Sequence, residues 1–236
     1  MRYREIVDNL NDVRQRIGDA AARAGRDPGD ITLVAVTKTR TLDEVRAVIE
    51  AGARDLGENY VQELEDKAGE LADADLRWHA IGHLQTNKIR KVAHIVSMIH
   101  SVDSERVGLE VDKRAAKAGV QVPILLQVNI SGEESKFGVT EAEAAELARQ
   151  LVALEHAELA GLMSMPPYSE DPEANRPHFA RLRELRDRLV GEGIPAEKMR
   201  HLSMGMTRDY EAAVEEGATL VRVGTAIFGA RDYGSG

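Results

Sequence analysis

Short apolar runs alternate with longer charged segments along almost the whole chain, and this alternation restricts the possible folds most strongly. The runs are rich in Val, Ile and Leu and carry little polar alternation, which is typical of parallel strands buried on both faces. Eight of them predict strands. They cover residues 31–38, 53–57, 78–82, 95–102, 123–130, 159–165, 200–204 and 219–228.

The segments between the runs have the periodicity of amphipathic helices. They predict helices at 42–51, 104–118, 141–154, 176–190 and 208–216, and a first helix at 2–24 precedes all the strands. Gly52, Gly119 and Gly217 suit left-handed helix ends, while Ser104 and Thr140 suit helix N-caps. Strands alternating with helices in this number favour a closed (β/α)8 TIM barrel with an extra N-terminal helix over an open doubly wound sheet.

Composition restricts the class of protein further. The 236 residues contain no linker-like stretch, so we expect a single domain over residues 1–236. A net charge of −9 disfavours nucleic acids and anionic membrane surfaces as partners. The absence of cysteine excludes disulfides, thiol catalysis and thiolate metal sites. The sequence has no signal-like start and no run long enough to cross a bilayer, so we expect a cytoplasmic protein.

A barrel would gather functional residues at the carboxyl ends of its strands, and Lys38 closes the first of them. Partly apolar surroundings lower the pKa of a lysine, so that the neutral amine can attack a carbonyl and form a Schiff base. Lys38 is therefore a candidate Schiff-base lysine. The alternative is that Lys38 has left the strand and extends its ammonium group into water.

The last two strands end in segments that resemble a phosphate site. Barrels often hold phosphate in the loops after strands seven and eight, where small residues let backbone N–H groups approach the anion. Ser203 and Gly205 lie at the end of the seventh predicted strand, and the eighth contains Gly224 and Thr225. The alternatives are an ordinary strand-to-helix turn with Thr207 as the N-cap, and a tight turn at Gly224.

Arg222 lies inside a run of β-branched residues. A buried guanidinium needs a partner, either an acid or an atom of a ligand. A ligand contact is one interpretation of Arg222. An ion pair with an inward-facing Asp55 or Glu58 is the other.

The remaining polar motifs do not indicate a metal. His79 and His83 lie four residues apart, but on a predicted strand and without the Glu of a zinc protease motif. We interpret His100 as a core histidine or a residue lining the cavity. The glycine-containing stretch 131–138 has the wrong order for a P-loop, and we expect it to form a mobile loop over the barrel mouth.

Eight motifs in order along the chain resemble the pyridoxal phosphate homeostasis protein family, also called the YggS/PROSC family. Each motif alone is a weak signal, but their joint occurrence is highly specific. They are VAVTKT at 34–39, GENY at 57–60, WHAIGHLQTNK at 78–88, HSVD at 100–103, KFG at 136–138, GLMSM at 161–165, LSMGM at 202–206 and VRVGTAIFG at 221–229.

The resemblance implies an alanine-racemase-like barrel of the fold-type III class that binds pyridoxal 5′-phosphate. By position, Lys38 would form the Schiff base with the cofactor and Arg222 would face the pyridine nitrogen. Ser203, Gly224 and Thr225 would hold the phosphate. Asn59 and His83 belong to motifs that lie close to the cofactor, and they complete the predicted cofactor-binding residues.

The resemblance also implies a role in cofactor homeostasis, with buffering and delivery of pyridoxal phosphate and without robust catalysis. Pyridoxal phosphate-dependent apoenzymes are the candidate recipients, and we expect a monomer or a weak dimer. Related racemases are similar in supplying a tyrosine from an additional C-terminal domain, and we expect none after Gly236. The first alternative is a racemase-like enzyme acting on amino acids, with a tyrosine at the mouth such as Tyr60, Tyr168 or Tyr210. The second is a cofactor-free Schiff-base aldolase.

Overall fold

Eight parallel strands close into a barrel in a computed structural model that describes residues 2–133 and 136–230. The strands lie side by side in chain order, and β8 pairs with β1 to complete the ring. They are β1 (Thr32–Val36), β2 (Asp55–Glu58), β3 (Arg77–Ala80), β4 (Val96–Val102), β5 (Val122–Gln127), β6 (Ala157–Met163), β7 (His201–Ser203) and β8 (Leu220–Val223). The predicted (β/α)8 barrel is therefore confirmed.

Helices surround the barrel, and an additional helix precedes the first strand. They are α1 (Arg2–Arg23), α2 (Leu42–Glu50), α3 (Val61–Glu70), α4 (Thr86–Val92), α5 (Glu105–Ala118), α6 (Glu141–Val152), α7 (Arg176–Gly191), α8 (Tyr210–Glu215) and α9 (Thr225–Phe228). Short 3-10 turns lie at Pro28–Asp30, Pro172–Asn175 and Ala196–Lys198. The extra N-terminal helix packs against α2, α8 and α9, where it covers the region in which the barrel closes.

Local signals fixed several helix ends as predicted. Ser104 caps α5 by accepting from the Val107 N–H, and Thr140 caps α6 in a reciprocal capping box with Glu143. Gly119 ends α5 with φ of 68°, the left-handed conformation that glycine adopts without steric cost.

The eighth strand is shorter than predicted, and the difference matters for the site. The sequence predicts a strand over 219–228, but β8 stops at Val223 and the chain turns at Gly224 into helix α9. The apolar residues of this stretch suit a buried strand and a buried helix equally well, so composition could not separate them. The turn at Gly224 brings Thr225 to the barrel mouth.

The core has two parts, because successive strand residues point to opposite faces of the sheet. The larger part fills the space between the barrel and its helices, and includes Leu56, Ile99, Leu202 and Val221. The smaller part lies inside the barrel and consists of Val34, Met98, Leu125, Ala160, Met163 and Leu220. The rest of the interior is polar, with His79, His100, Ser203 and Arg222 all buried.

Candidate functional site at the barrel mouth

A cavity of about 390 Å³ opens at the carboxyl ends of the strands. Its wall comes from β1 and β8 and from segments that follow β1, β2, β3, β6, β7 and β8, as a barrel site requires. The lining residues are Val36, Lys38, Arg40, Asn59, Ile81, Met165, Pro167, Tyr168, Ser169, Asn175, Met206, Thr207, Arg208, Asp209, Arg222, Gly224 and Thr225. Five of the seven predicted site residues lie among them.

Lys38 is partly buried in this wall and occupies the turn that leaves β1. The turn runs from Thr37 to Arg40, whose N–H donates to the Thr37 carbonyl at 3.0 Å. Thr39 has φ of 62°, a left-handed conformation that is costly for a β-branched residue. Lys38 has therefore left the strand, as the alternative interpretation held, and lies in the cavity wall on a strained corner.

Arg222 projects into the barrel from β8 and is 4% exposed, and its guanidinium lies in the cavity wall. It donates to the Ser203 hydroxyl and to the Ser164 carbonyl, the latter at 2.8 Å. Neither Asp55 nor Glu58 pairs with it, so the ion-pair interpretation is wrong. Burial lowers the pKa of Arg222 to about 10, with the nearby Asp209 opposing the shift, so the group stays charged at neutral pH. A buried guanidinium without a carboxylate partner is suited to a ligand acceptor atom.

A chain of hydrogen bonds continues from Arg222 through the barrel interior. Ser203 Oγ lies 2.8 Å from His100 Nδ1, His100 Nε2 lies 2.9 Å from His79 Nδ1, and His79 Nε2 lies 3.0 Å from Asp55 Oδ1. Arg77 closes the far end by donating to both oxygens of Asp55, at 2.8 and 2.6 Å.

The direction of the hydrogen bond is fixed at each end of this chain. Arginine only donates and an ionised carboxylate only accepts, so Ser203 accepts from Arg222 and His79 donates to Asp55. The directions of the contacts between Ser203, His100 and His79 depend on the tautomers of the two rings. Burial lowers the pKa of His100 well below its usual range, and the charges of His79, Arg222 and His201 act in the same direction.

The Ser203 hydroxyl therefore does not reach the cavity. The side chain is fully buried, and both of its hydrogen bonds lie inside the barrel. Thr207, four residues later, lines the cavity instead, and its hydroxyl accepts from the Ala226 N–H at 3.2 Å. The interpretation of Thr207 as the N-cap of the following helix is wrong, because Asp209 holds the N-cap position of α8.

Glycine permits the two loops that face each other across this part of the cavity. Gly205 has φ of 89°, and a Cβ there would lie 2.6 Å from the Ala213 Cβ. A Cβ on Gly224 would lie 3.4 Å from the Val36 carbonyl oxygen. Gly205 therefore needs a residue without a side chain, whereas a Cβ on Gly224 would be in ordinary van der Waals contact. Thr207, Gly224 and Thr225 together form a cradle of small polar groups.

Asn59 and His83 lie in different places. Asn59 lines the main cavity and also a neighbouring cavity of about 310 Å³. His83 lines only the neighbouring cavity, where its ring stacks on Phe137 at 4.3 Å and lies 3.4 Å from Asp103. His83 therefore stands beside the mouth rather than in the main cavity. Phe137 belongs to the predicted loop 131–138, of which residues 134 and 135 lie outside the described residues.

The sequence analysis missed a second polar group at the mouth. Asn175 and Asp209 are both buried, and Asn175 donates to Asp209 at 2.7 Å. Asp209 also accepts from the Met206 N–H at 2.7 Å and so holds the loop after β7. Tyr168, one of the predicted mouth tyrosines, is 72% exposed and packs under Arg208, whereas Tyr210 is buried away from the mouth. The residues around Asn175 are mostly polar or charged, as on a protein surface, so the sequence did not indicate a buried group there.

The described residues hold no cluster of three or more side chains suited to binding a metal ion. None of the described helices is both long enough and apolar enough to span a bilayer.

Comparison with known proteins gives consistent likenesses over nearly the whole chain. Residues 8–232 match the family model of the alanine racemase N-terminal domain. The chain is 44% identical to the pyridoxal phosphate homeostasis protein of Aquifex aeolicus, covering 96% of this chain and 98% of that protein. An unknown protein from Bifidobacterium adolescentis has a crystal structure with a TM-score of 0.90 and 43% identity, over 96% of each chain. PipY of Synechococcus elongatus, solved with pyridoxal phosphate bound, has a TM-score of 0.83 and 34% identity over 95% of this chain and 100% of PipY.

The hydrogen bonds at Asp55 generate a pH-dependent prediction. Burial would raise the pKa of Asp55, but hydrogen bonds from His79 and Arg77 outweigh it and lower the pKa to about 2. A lowered pKa stabilises the fold above the usual pKa of the carboxyl, and this stability disappears as the pH falls toward 2. We expect Asp55→Asn to lower the free energy of unfolding by about 2 kcal/mol at neutral pH, measured by urea denaturation. The deficit should shrink below about pH 4.

Asp43→Asn is the control, because the Asp43 side chain is 96% exposed and should change stability little at any pH. A deficit for Asp55→Asn that stays constant down to low pH would contradict an ionised, hydrogen-bonded Asp55.

Proposed function

We infer that this chain binds pyridoxal 5′-phosphate, because it belongs to the pyridoxal phosphate homeostasis protein family. The membership confirms the resemblance that the sequence motifs predicted. In our proposal the protein buffers the cofactor and delivers it, and has no robust turnover of its own. The observation that carries the proposal is the joint placement of Lys38, Arg222 and the glycine-lined cradle in the wall of one cavity.

The residues present fit the cofactor at each of its polar ends. When bound, pyridoxal phosphate supplies an aldehyde that accepts an amine. Lys38 would hold the group through its amine, from the turn after β1. Arg222 would supply an N–H donor for the pyridine nitrogen from β8, the strand that pairs with β1.

Thr207, Gly224 and Thr225 are the groups that we propose for the phosphate. Hydroxyl donors and backbone N–H groups that no side chain covers are the usual ligands of phosphate at a barrel mouth. Ser203 keeps a different role, because its hydroxyl orients Arg222 from inside the barrel. Asn59 lies in the wall near these groups and is a further contact in the proposal.

The support for a non-catalytic role comes from Arg222. A guanidinium can only donate, so it faces an unprotonated pyridine nitrogen and weakens the ring as an electron sink. The guanidinium is held in this orientation by its hydrogen bonds to the Ser203 hydroxyl and the Ser164 carbonyl. The curated relatives are likewise named for homeostasis rather than for a reaction. We propose cytoplasmic apoenzymes that depend on the cofactor as recipients, and a monomer or weak dimer as the binding form.

One observation favours a second candidate, an enzyme acting on amino acids. Racemisation needs an acid or base on each face of the substrate, and Tyr168 lies at the cavity with Arg208 above its ring at 4.9 Å. A phenol beside a guanidinium is a reasonable proton donor. The strong exposure of Tyr168 argues against it, because water would compete for the same proton.

Removal of the amine tests the proposal directly. Pyridoxal phosphate added to the wild-type protein should produce a visible absorbance band, and borohydride should abolish it and leave a covalent adduct on Lys38. Lys38→Ala should lack the band but retain weaker binding through the cradle. Lys117→Ala, on the exposed face of α5, should behave as the wild type.

The outcomes separate the remaining functions. A wild-type protein without the band in the presence of cofactor would overturn the proposal and leave the cofactor-free aldolase. A band that survives in Lys38→Ala would show that another amine carries the cofactor.

The phosphate assignment has its own test, which compares pyridoxal phosphate with pyridoxal. Thr207→Val should raise the Kd for pyridoxal phosphate about tenfold, the usual loss for one hydrogen bond to a charged group, and should leave pyridoxal binding unchanged. Ser203→Ala should weaken both compounds by the same factor, because it disturbs Arg222 and not the phosphate. Titrations followed by absorbance would measure both constants. A selective loss of phosphate recognition in Ser203→Ala would restore the prediction made from the sequence.

Isotope exchange distinguishes the carrier from the enzyme. We expect the holoprotein, incubated with L- or D-alanine in deuterium oxide, to exchange the α-proton no faster than Lys38→Ala does. Proton NMR of the amino acid measures the rate. Rapid exchange that Tyr168→Phe abolishes would favour the racemase-like enzyme and contradict the non-catalytic proposal.

A further inference from the structure

Lys67 on helix α3 is a buried lysine outside the cavity. It is 7% exposed and does not line the main cavity. Its ammonium group donates to the Thr37 carbonyl at 2.7 Å, to Glu58 Oε1 at 2.7 Å and to Glu63 Oε2 at 2.9 Å. All the N–H donors of the ammonium are therefore used, and each partner lies on or beside the turn that carries Lys38.

The partners of Lys67 hold the backbone on both sides of Lys38. Glu58 Oε1 accepts from the Thr37 hydroxyl at 2.6 Å, and Glu63 Oε2 accepts from the Thr39 N–H at 2.7 Å. Lys67 also contacts the Thr37 carbonyl itself. We call Lys67, Glu58 and Glu63 the turn cluster. Its hydrogen bonds hold Thr37 and Thr39, and Lys38 between them lines the cavity.

The turn needs such support because its conformation is strained. Thr39 adopts positive φ, which a β-branched residue keeps only where the surroundings impose it. The hydrogen bond from its N–H to Glu63 is the contact that fixes this residue. Without it, the turn could relax to an ordinary conformation, and Lys38 would move with it.

The turn cluster is a poor means of stabilising the fold, because it buries charged groups. Glu58 Oε2 is buried without a hydrogen-bond partner, and burial raises the pKa of Glu58 despite the hydrogen bonds from Lys67 and Thr37. Buried ion pairs often stabilise a protein no more than apolar side chains of the same size would. A role in geometry explains the retained charges better than a role in stability.

We propose that Lys67 is a positioning residue, which acts through Glu58, Glu63 and the strained turn to hold the Lys38 amine where it can bond the aldehyde. Lys67 does not line the main cavity, so in this proposal it acts through the turn that carries Lys38. This inference rests on the proposed function. It adds that cofactor binding depends on a residue outside the cavity wall.

A double-mutant cycle tests the proposal. In the wild-type background, Lys67→Met should raise the Kd for pyridoxal phosphate about tenfold and reduce borohydride trapping on Lys38, because the relaxed turn disfavours the bond. In the Lys38→Ala background, Lys67→Met should leave the remaining affinity unchanged. Lys91→Met is the matched control. Lys91 on α4 pairs at 2.6 Å with Glu65 on α3, the helix that carries Lys67, and it does not contact the turn.

A second variant covers the case in which Lys67→Met does not fold. Glu63→Ala removes the acceptor of the Thr39 N–H from a partly exposed position and should show the same dependence on Lys38, whereas Glu63→Gln, which keeps an acceptor oxygen, should restore much of the affinity.

The outcomes distinguish this inference from the proposed function. An equal loss of affinity in both backgrounds would show that Lys67 only supports the fold, and no loss in either would also overturn its positioning role. A wild-type protein that forms no adduct on Lys38 would instead overturn the proposed function.

Discussion

The interior of the barrel contains buried charged side chains. The site depends on their having hydrogen-bond partners there. Arg222 enters from one end and the Arg77–Asp55 pair from the other, and hydrogen bonds through Ser203, His100 and His79 connect them. Each of these linked side chains therefore has hydrogen-bond partners inside the barrel. The guanidinium at the mouth is held in place by groups that reach the opposite end of the barrel.

The two principal groups of the site are supported from opposite sides of the sheet. Arg222 is oriented from inside the barrel, while the turn carrying Lys38 is held from outside by the buried Lys67 and its carboxylate partners. The alternation of side chains along a strand produces this division, since Asp55 points inward and Glu58, three residues later on β2, points toward α3. One short strand thus contributes to both supports. Separate sets of hydrogen bonds therefore hold the turn of Lys38 and the guanidinium of Arg222.

Much of the fold could be predicted from the sequence, because the signals are local. Apolar runs located all eight strands, and Ser104, Thr140 and Gly119 marked helix ends where the structure has them. Lys38 could be placed at the mouth because it closes a predicted strand, and Arg222, Gly224 and Thr225 because they lie in the predicted strand 219–228. The direction of a side chain could not be predicted in the same way. Ser203 ends β7 and Thr207 follows it, and only the structure shows that the first hydroxyl points inward and that Thr207 lines the cavity.

The sequence by itself determined the order of the strands, the closed barrel and several residues at its mouth, because these follow from periodicity and from the common direction of parallel strands. Three helices, α3, α4 and α9, had no counterpart among the predicted helices. Tertiary structure decided which side chains meet. His79 lies against His100 because the register between β3 and β4 shifts at Trp78 and His79, an irregularity that no local pattern records. Lys67 meets the turn of Lys38 because α3 packs against β2, the strand that pairs with β1. Contacts between distant parts of the chain depend on register and packing, which only the folded barrel sets.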